Sequence, residues 1–362
     1  MVIQMKLMFC GDFVPVKTTE QKFINKDMGT FGDVIPLLKS ADRVIVNLEC
    51  ALTNSENRIK KFGPCLKAAP ECADVLPLVG ITDAALANNH AFDFGEEGMR
   101  DTLANLDRVG IPYTGVGEND QDSRKLYFIE QDGKKIAIVN VCEHEYSYAT
   151  PNRIGTNPFD PFLTMQDVRA AKKQADFVIV IYHGAKEHCR YPSPRVRNLC
   201  HELAHNGADA VLLQHSHCIG CYENYEGCHI VYGQGNFHFC MNVPMESWWS
   251  GLVVEIRVED KLEIDFHPIE CSEEGIWLAK GEAYDKIMQP FYARNQELLN
   301  GEWIKGWRAF CESVKEKYAA VIVGLGPDAE EGKNQRFAHY LDCEAHTDVW
   351  REIFPTWNAT NK

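Results

Sequence analysis

Five segments of the chain set oxygen- and nitrogen-bearing side chains directly behind short apolar runs. The most informative is Leu86-Ala87-Asn88-Asn89-His90-Ala91-Phe92-Asp93-Phe94-Gly95. An apolar run there ends in two amides and an imidazole, with an acid and a glycine close behind. The pattern suits a site in which Asn89 coordinates a hard cation and His90 meets the substrate as proton donor. Asp93 then orients His90, and Asn88 joins the substrate contacts. A second segment, Leu7-Met8-Phe9-Cys10-Gly11-Asp12, offers a carboxylate after a tight turn, although an Asp there serves equally well as a helix cap. In the third, Val44-Ile45-Val46-Asn47-Leu48-Glu49, the last acid and the amide are two residues apart and share one face of an extended backbone. A buried carboxylate without a partner costs several kcal/mol, so Glu49 is expected to have one, with Asn47 free for substrate.

The fourth segment runs from Val178 through His183-Gly184-Ala185-Lys186-Glu187. A histidine at the end of a wholly apolar strand is a rigidly held ligand, and Glu187 can fix its tautomer or contact substrate. His188, beyond the turn, competes for the same role. The fifth, Val211-Leu212-Leu213-Gln214-His215-Ser216-His217, carries two imidazoles two residues apart, expected on one side of an extended segment and ready to chelate. Behind it, Tyr232-Gly233-Gln234-Gly235-Asn236-Phe237 permits close backbone approach, with Asn236 reaching a neighbouring loop or the substrate. No Gly-Lys-Ser/Thr follows, so this is not a phosphate-cradling loop of the Walker type. Asp12, Glu49, Asn89, His183, His215 and His217 form a mixed nitrogen and oxygen set, with Glu49 placed to bridge. Such donors suit Mn, Fe or Zn better than Ca. Two divalent ions about 3.5–4 Å apart would polarise a substrate oxygen and bring the pKa of a water towards 7. His90 would protonate the leaving oxygen. The expected chemistry is metal-assisted hydrolysis.

These residues need strands to hold them. Residues 6–10, 43–48, 83–87, 177–182 and 208–213 read as short buried strands. Residues 31–40, 71–79, 96–109, 164–175 and 194–206 carry helical spacing. The alternation indicates an α/β (α+β) architecture. Two hairpins interrupt it, turning at Asp132-Gly133 and at Asp260-Lys261, so parallel and antiparallel strands mix. From about residue 281 the pattern becomes helical: Trp303, Trp307, Phe310, Val314 and Tyr318 keep a 3.6-residue period, and 334–354 reads as one further amphipathic helix. The division expected is 1–280 for the site-bearing domain and 281–362 for a helical extension packed on it. Trp303, Trp307, Trp350 and Trp357 in that extension serve core packing, a lid or a dimer contact, which leaves a homo-oligomer open.

The 362 residues carry a formal net charge of −15, with 45% hydrophobic and 25% charged residues. That balance argues against a nucleic-acid partner bound through a basic surface. It leaves room for a phosphorylated or carboxylated substrate, because bound divalent cations invert the local field. Arg190, Arg195 and Arg197 are candidates to contact such anions. No apolar run approaches the roughly 18–20 residues of a membrane span, and the first ten residues lack a signal-peptide pattern, so a cytoplasmic location is expected. The 14 cysteines read as reduced thiols in a chain this long. Cys218, Cys221 and Cys228 only superficially resemble a zinc knuckle, and packing as small hydrophobes is expected of them.

The order Gly11-Asp12, Asn47-Leu48-Glu49, Asn88-Asn89-His90-x-x-Asp93-x-Gly95, His183-x-x-x-Glu187, His215-x-His217 and Tyr232-Gly233-x-Gly235-Asn236-Phe237 resembles the CapA family of capsule (poly-γ-glutamate) synthesis proteins. That family belongs to the calcineurin-like metallophosphatase superfamily, and the resemblance covers roughly residues 5–270. It implies a four-layer α-β-β-α sandwich with a dinuclear site at the strand ends. It also implies that Asp12, Glu49, Asn89, His183, His215 and His217 bind the metals and that His90 is the catalytic histidine. Three positions depart from the pattern. Val14 stands where the superfamily has a histidine, Gly184 where CapA proteins often have an aromatic residue, and Gln214 to His217 where they often have Gly-His-Pro-His. Three functions follow as expectations: hydrolysis of a small-molecule phosphoester, action on or binding of a γ-glutamyl polymer, or a non-catalytic scaffold with a degenerate site.

Overall fold

The computed structural model describes residues 5–15, 18–143, 145–327 and 331–354; Trp357 lies outside them. Fourteen strands make two large sheets. In chain order they are β1 (Met5–Phe13), β2 (Arg43–Leu48), β3 (Asp83–Ala85), β4 (Tyr113–Thr114), β5 (Tyr127–Gln131), β6 (Lys134–Cys142), β7 (Phe177–His183), β8 (Ala210–Gln214), β9 (Tyr222–Tyr225), β10 (Cys228–Val231), β11 (Asn236–His238), β12 (Ser250–Val258), β13 (Leu262–Ser272) and β14 (Gly275–Leu278). The first sheet has the order β14-β13-β12-β1-β2-β3-β4, with β11 also paired to β1. The second has the order β9-β10-β8-β7-β6-β5. Both mix parallel and antiparallel pairs: β1 and β2 run parallel, as do β6, β7 and β8, whereas β5/β6 and β12/β13 are the two hairpins read from the sequence.

Side-chain alternation dictates how the sheets stack. Leu7 and Phe9 of β1, Ile45 of β2, Ile179 and Ile181 of β7, and Ala210 and Leu212 of β8 share one core between the sheets. Their neighbours Met8, Cys10, Val44 and Val46 face outward, against helices α1 (Glu20–Ile24), α2 (Ile35–Leu38), α3 (Val75–Val79) and α4 (Gly95–Val109). Val178, Val180, Val211 and Leu213 likewise face outward on the second sheet, under α5 (Pro161–Lys172) and α6 (Pro194–His205). The result is the four-layer α-β-β-α sandwich. The start of α6 is specified locally: Pro194 opens it, and the Ser193 hydroxyl accepts the Val196 N–H.

Three elements differ from the sequence reading. The helix read over 71–79 is α-helical only in α3, after a 3-10 turn at Pro70–Asp74. The helix read over 31–40 is only a single turn, α2, because Gly32 takes a positive φ and separates it from a short 3-10 turn at Met28–Phe31. The helix read over 334–354 is two, α9 (Glu331–Asp342) and α10 (Glu344–Ile353), with Cys343 extended between them. Before these come α7 (Glu282–Asn300) and α8 (Trp303–Ile322). Met288 and Phe291 of α7 enter the core between the sheets. Trp307, Cys311 and Tyr318 of α8 gather a separate core with Tyr340, Val349 and Cys189. Asp348 ties α10 to α6, accepting from the Ser193 hydroxyl at 2.6 Å and from Arg195 Nε at 2.9 Å. Among the described residues no helix is long and apolar enough to cross a membrane.

Candidate metal centre

The parity that fills the core also aims the polar residues. His183 continues the inward row of Ile179 and Ile181, and Asn47 and Glu49 continue the inward row of Ile45. Asp12 would face outward by strict alternation. A register shift between Cys10 and Asp12 turns it to the inner side, as a β-bulge does. Gly11 makes that possible, since a Cβ there would lie 2.0 Å from the Gly235 carbonyl oxygen. The ladder of β1 with β11 sets Asp12 opposite Asn236. The polar cluster therefore closes the end of the layer between the sheets, at the carboxyl ends of their parallel strands.

All six residues read as ligands meet there, buried. His183 Nε2 lies 3.0 Å from Asn89 Oδ1 and 3.5 Å from Glu49 Oε1. His217 Nδ1 lies 3.0 Å from Asp12 Oδ2, and its Nε2 is 3.9 Å from Glu49 Oε1. The His183 and His215 rings are 4.8 Å apart. Two ligand-capable groups result, Asp12–Glu49–His183 and Glu49–His215–His217, and they share Glu49. The route to this geometry differs from the one read from the sequence. The strand stops at Gln214, and His215 and His217 adopt φ of 84° and 50°, so the pair lies on a left-handed bend rather than an extended segment. Such backbone costs about 1–3 kcal/mol per residue and is held by its surroundings.

The donor set fits divalent cations on its own chemistry. Glu49 is fully buried, and its Oε1 accepts no hydrogen bond; His215 Nδ1 is likewise unpaired. Burial and the adjacent Asp12 carboxylate push the Glu49 carboxyl well above its ordinary range. Burial opposes charge on Asp12 too, but His217 and Asn47 outweigh it and hold that acid below its usual range. Burial first, then the neighbouring His215, keeps His183 unprotonated, the form a metal ligand requires. Two buried acids and three imidazoles make up two groups that could hold a cation, of mixed nitrogen and oxygen character.

The residues read as substrate contacts are placed differently from one another. Asn47 is fully buried and donates to Asp12 Oδ1 at 2.8 Å, while Asn88 donates to Asn47 Oδ1 at 3.1 Å and to the Leu48 carbonyl at 2.8 Å. Asn236 spans His217 Nδ1 at 2.9 Å and the Trp248 carbonyl at 2.9 Å. These three amides orient the ligand cluster. Arg190 lines a separate cavity of about 400 Å³ with Trp249, Lys286 and Arg294. Arg195 pairs with Glu143 and Asp348, and Arg197 with Glu223, so neither guanidinium is left for a substrate anion. Gly184 stands where an aromatic residue was expected because the Glu143 side chain occupies that space, 2.6 Å from where a Cβ would be. Val14 is buried in apolar packing.

His90 Nδ1 lies 2.6 Å from Asp93 Oδ2, and Asp93 is also paired with the buried Lys61. Burial, then the Lys61 charge, lowers the His90 pKa. A cavity of about 620 Å³ opens onto Asn89, His90, Lys61, Lys186 and Glu187. Its opposite wall belongs to the helical extension, through Phe310, Val314, Tyr318, Tyr340 and His346. Sequence reading missed Lys61 and Glu145, which stand on irregular segments with no strand end to flag them. Glu145 accepts from Asn89 Nδ2 at 2.5 Å and lies 3.8 Å from His215 Nε2.

Residues 6–241 match the family model described as "Bacterial capsule synthesis protein PGA_cap". The chain is 31% identical over 255 residues to the PGA biosynthesis protein CapA of Bacillus subtilis, covering 69% of this chain and 63% of that protein. It is 29% identical over 246 residues to the capsule biosynthesis protein CapA of Bacillus anthracis, covering 66% of this chain and 57% of that protein. The match thus spans about 57–63% of the length of these relatives. Among solved structures, a 5'-nucleotidase precursor from Thermus thermophilus aligns at 12% identity and a TM-score of 0.44, over 82% of this chain and 59% of that one. The chain belongs to the PGA_cap family of bacterial capsule synthesis proteins.

Proposed function

We propose that this chain is a metal-dependent hydrolase acting on a small phosphoester through a dinuclear centre. The observation that carries the reading is Glu49, buried between two donor groups and shared by both. Asp12, Glu49, Asn89, His183, His215 and His217 hold the ions, with Asn47 and Asn236 fixing the ligand geometry. Two ions of the Mn, Fe or Zn type, when bound, supply Lewis acidity towards a substrate oxygen and an activated water. The Asp93 carboxylate accepts the Nδ1–H of His90 and turns Nε2 to the cavity, where the doubly protonated ring would give its Nε2 proton to the leaving oxygen. Lys61, paired with Asp93, and Lys186, held by Glu187 at 3.2 Å, line the cavity beside His90. Metal analysis of the purified protein beside a His215→Ala/His217→Ala variant tests the centre: the variant is expected to hold about two ions per chain fewer than the wild type. His90→Ala is expected to abolish hydrolysis of an aryl phosphate while keeping its metal. Unchanged turnover in that variant overturns the role of His90.

A second reading draws on the relatives, whose names place them in poly-γ-glutamate capsule synthesis. In it the same centre acts on, or binds, a γ-glutamyl chain. Release of glutamate from a γ-glutamyl peptide, with no phosphatase activity, favours this reading. Binding to such a polyanion is expected to weaken as salt rises.

A further inference from the structure

The helical extension brings a second set of ligand-type side chains to the same wall. His339 lies near the end of α9, Cys343 at the break, and His346 in the first turn of α10. Donor atoms of Glu145, Cys343 and His346 all lie within 4.8 Å of one another. His339 Nε2 completes the group, 3.2 Å from His346 Nε2 and 3.4 Å from Glu145 Oε1. Zinc–nitrogen bonds of about 2.0–2.1 Å in tetrahedral geometry set neighbouring donors about 3.3–3.4 Å apart. The two separations, 3.2 and 3.4 Å, lie close to that length. The two Nε2 atoms, 3.2 Å apart, can share a single N–H···N hydrogen bond, and a cation bound by both lone pairs would take its place.

The surroundings fix these donors as an outer shell does. The Tyr318 hydroxyl lies 2.5 Å from His346 Nδ1, so that nitrogen is engaged and Nε2 is left to face His339. Tyr340 stacks on the His346 ring at 4.0 Å, and Tyr146 stacks on His339 at 5.3 Å. Cys343 is buried at the N-terminus of α10; burial and the Glu145 carboxylate push its thiol well above the ordinary range, so the proton leaves only when a cation takes its place.

We infer that Glu145, His339, Cys343 and His346 form a third, separate transition-metal site, of the kind that takes Zn²⁺, which clamps the helical extension over the cavity. Three of its four ligands lie beyond the residues matched to the family model. Its fourth, Glu145, faces two ways: Oε1 towards His339 and Oε2 towards Asn89 and His215. The break between α9 and α10 gains a reason, since an extended Cys343 separates two short helices that each present a histidine.

Cobalt substitution of the full chain tests the site, because among the candidate metal groups of the described residues this one includes a cysteine. Metal-free protein titrated with Co²⁺ is expected to develop a near-ultraviolet thiolate-to-cobalt charge-transfer absorption whose final intensity corresponds to one thiolate-bound ion per chain. Cys343→Ser is expected to lose it and to bind one ion fewer, and His346→Ala to weaken it at least tenfold. The His215→Ala/His217→Ala variant is expected to keep it. Circular dichroism establishes that each protein is folded. No such absorption in the folded wild-type chain, or its persistence in Cys343→Ser, overturns the site. Its loss in His215→Ala/His217→Ala overturns its independence from the dinuclear centre.

Discussion

Glu49 sits beside Asp12, both carboxylates buried and each with one oxygen that accepts no hydrogen bond, an arrangement that costs free energy until a cation arrives. Ligand binding to the native state alone stabilises by about 2.7 kcal/mol at a hundredfold excess over Kd. Thermal unfolding of the wild-type chain should therefore rise clearly with added Mn²⁺ or Zn²⁺. Glu49→Gln should remain folded, lose most of that rise, and melt no lower than wild type when both are metal-free. An equal metal-dependent rise in the variant sinks the bridging role. Lys61 makes a different case. Its ammonium group pairs with Asp93, and both side chains are nearly inaccessible, 2% and 0% exposed. Removing one partner of a buried pair costs about 3–5 kcal/mol, because the other charge is left uncompensated. Lys61→Met should lower stability in chemical denaturation by that order and should also lower turnover, since Asp93 then loses the partner that holds it against His90. Full stability in Lys61→Met would mean that Asp93 is satisfied by His90 and the Leu66 N–H alone.

At the scale of elements, the strand-end residues were legible because a ligand within two positions of a buried strand has its direction set by the strand. Asn47, Glu49 and His183 follow that rule directly. Asp12 obeys it only after the bulge at Gly11, and His215 and His217 reach the same centre through left-handed backbone that no alternation pattern encodes. Lys61, Glu145 and the His339–Cys343–His346 group were illegible for the converse reason: tertiary packing, not periodicity, brings them to the site. The arginines are taken up within the fold: Arg195 and Arg197 flank the buried stripe of α6 on opposite sides, and each meets an acid there. Glu223 of β9 receives Arg197, His201 and the Tyr232 hydroxyl, tying α6 to the second sheet. Burial opposes its charge, but these partners outweigh it and the carboxyl titrates below its ordinary value of 4.5. A depressed native pKa gives stability that is complete above that ordinary value and is lost as pH falls through the native one. Glu223→Gln should cost on the order of 1–3 kcal/mol at neutral pH, as for a lost charge-assisted hydrogen bond. Its difference from wild type should shrink as denaturation curves are repeated below pH 4.5. A difference constant with pH would assign the loss to packing instead.

For the whole molecule, the question is what the helical extension does to the cavity. α7 is part of the sandwich, because Met288 and Phe291 fill the layer between the sheets, and a chain ending at residue 280 would expose that layer. Burying a large apolar side chain is worth about 1.5–3 kcal/mol, so such a chain should be insoluble or molten. α9 and α10 are different: with α8 they close a core of their own and contribute a wall of the 620 Å³ cavity. A cavity of that size holds a ligand of drug-like dimensions, not a polymer lying across the strand ends. Removal of residues 328–362 should therefore leave the sandwich folded while opening the site on one side. The expected result is weaker KM for a small phosphoester, with kcat less affected because His90, Asp93 and the six ligands all stay. If the natural substrate is instead a γ-glutamyl polymer, the truncated chain should cleave long chains faster than the full one, since the wall that excludes them is gone. Steady-state kinetics of both chains on a small ester and on γ-glutamyl oligomers of increasing length separates the two cases. Identical length dependence in the two chains would show that α9 and α10 do not set substrate size.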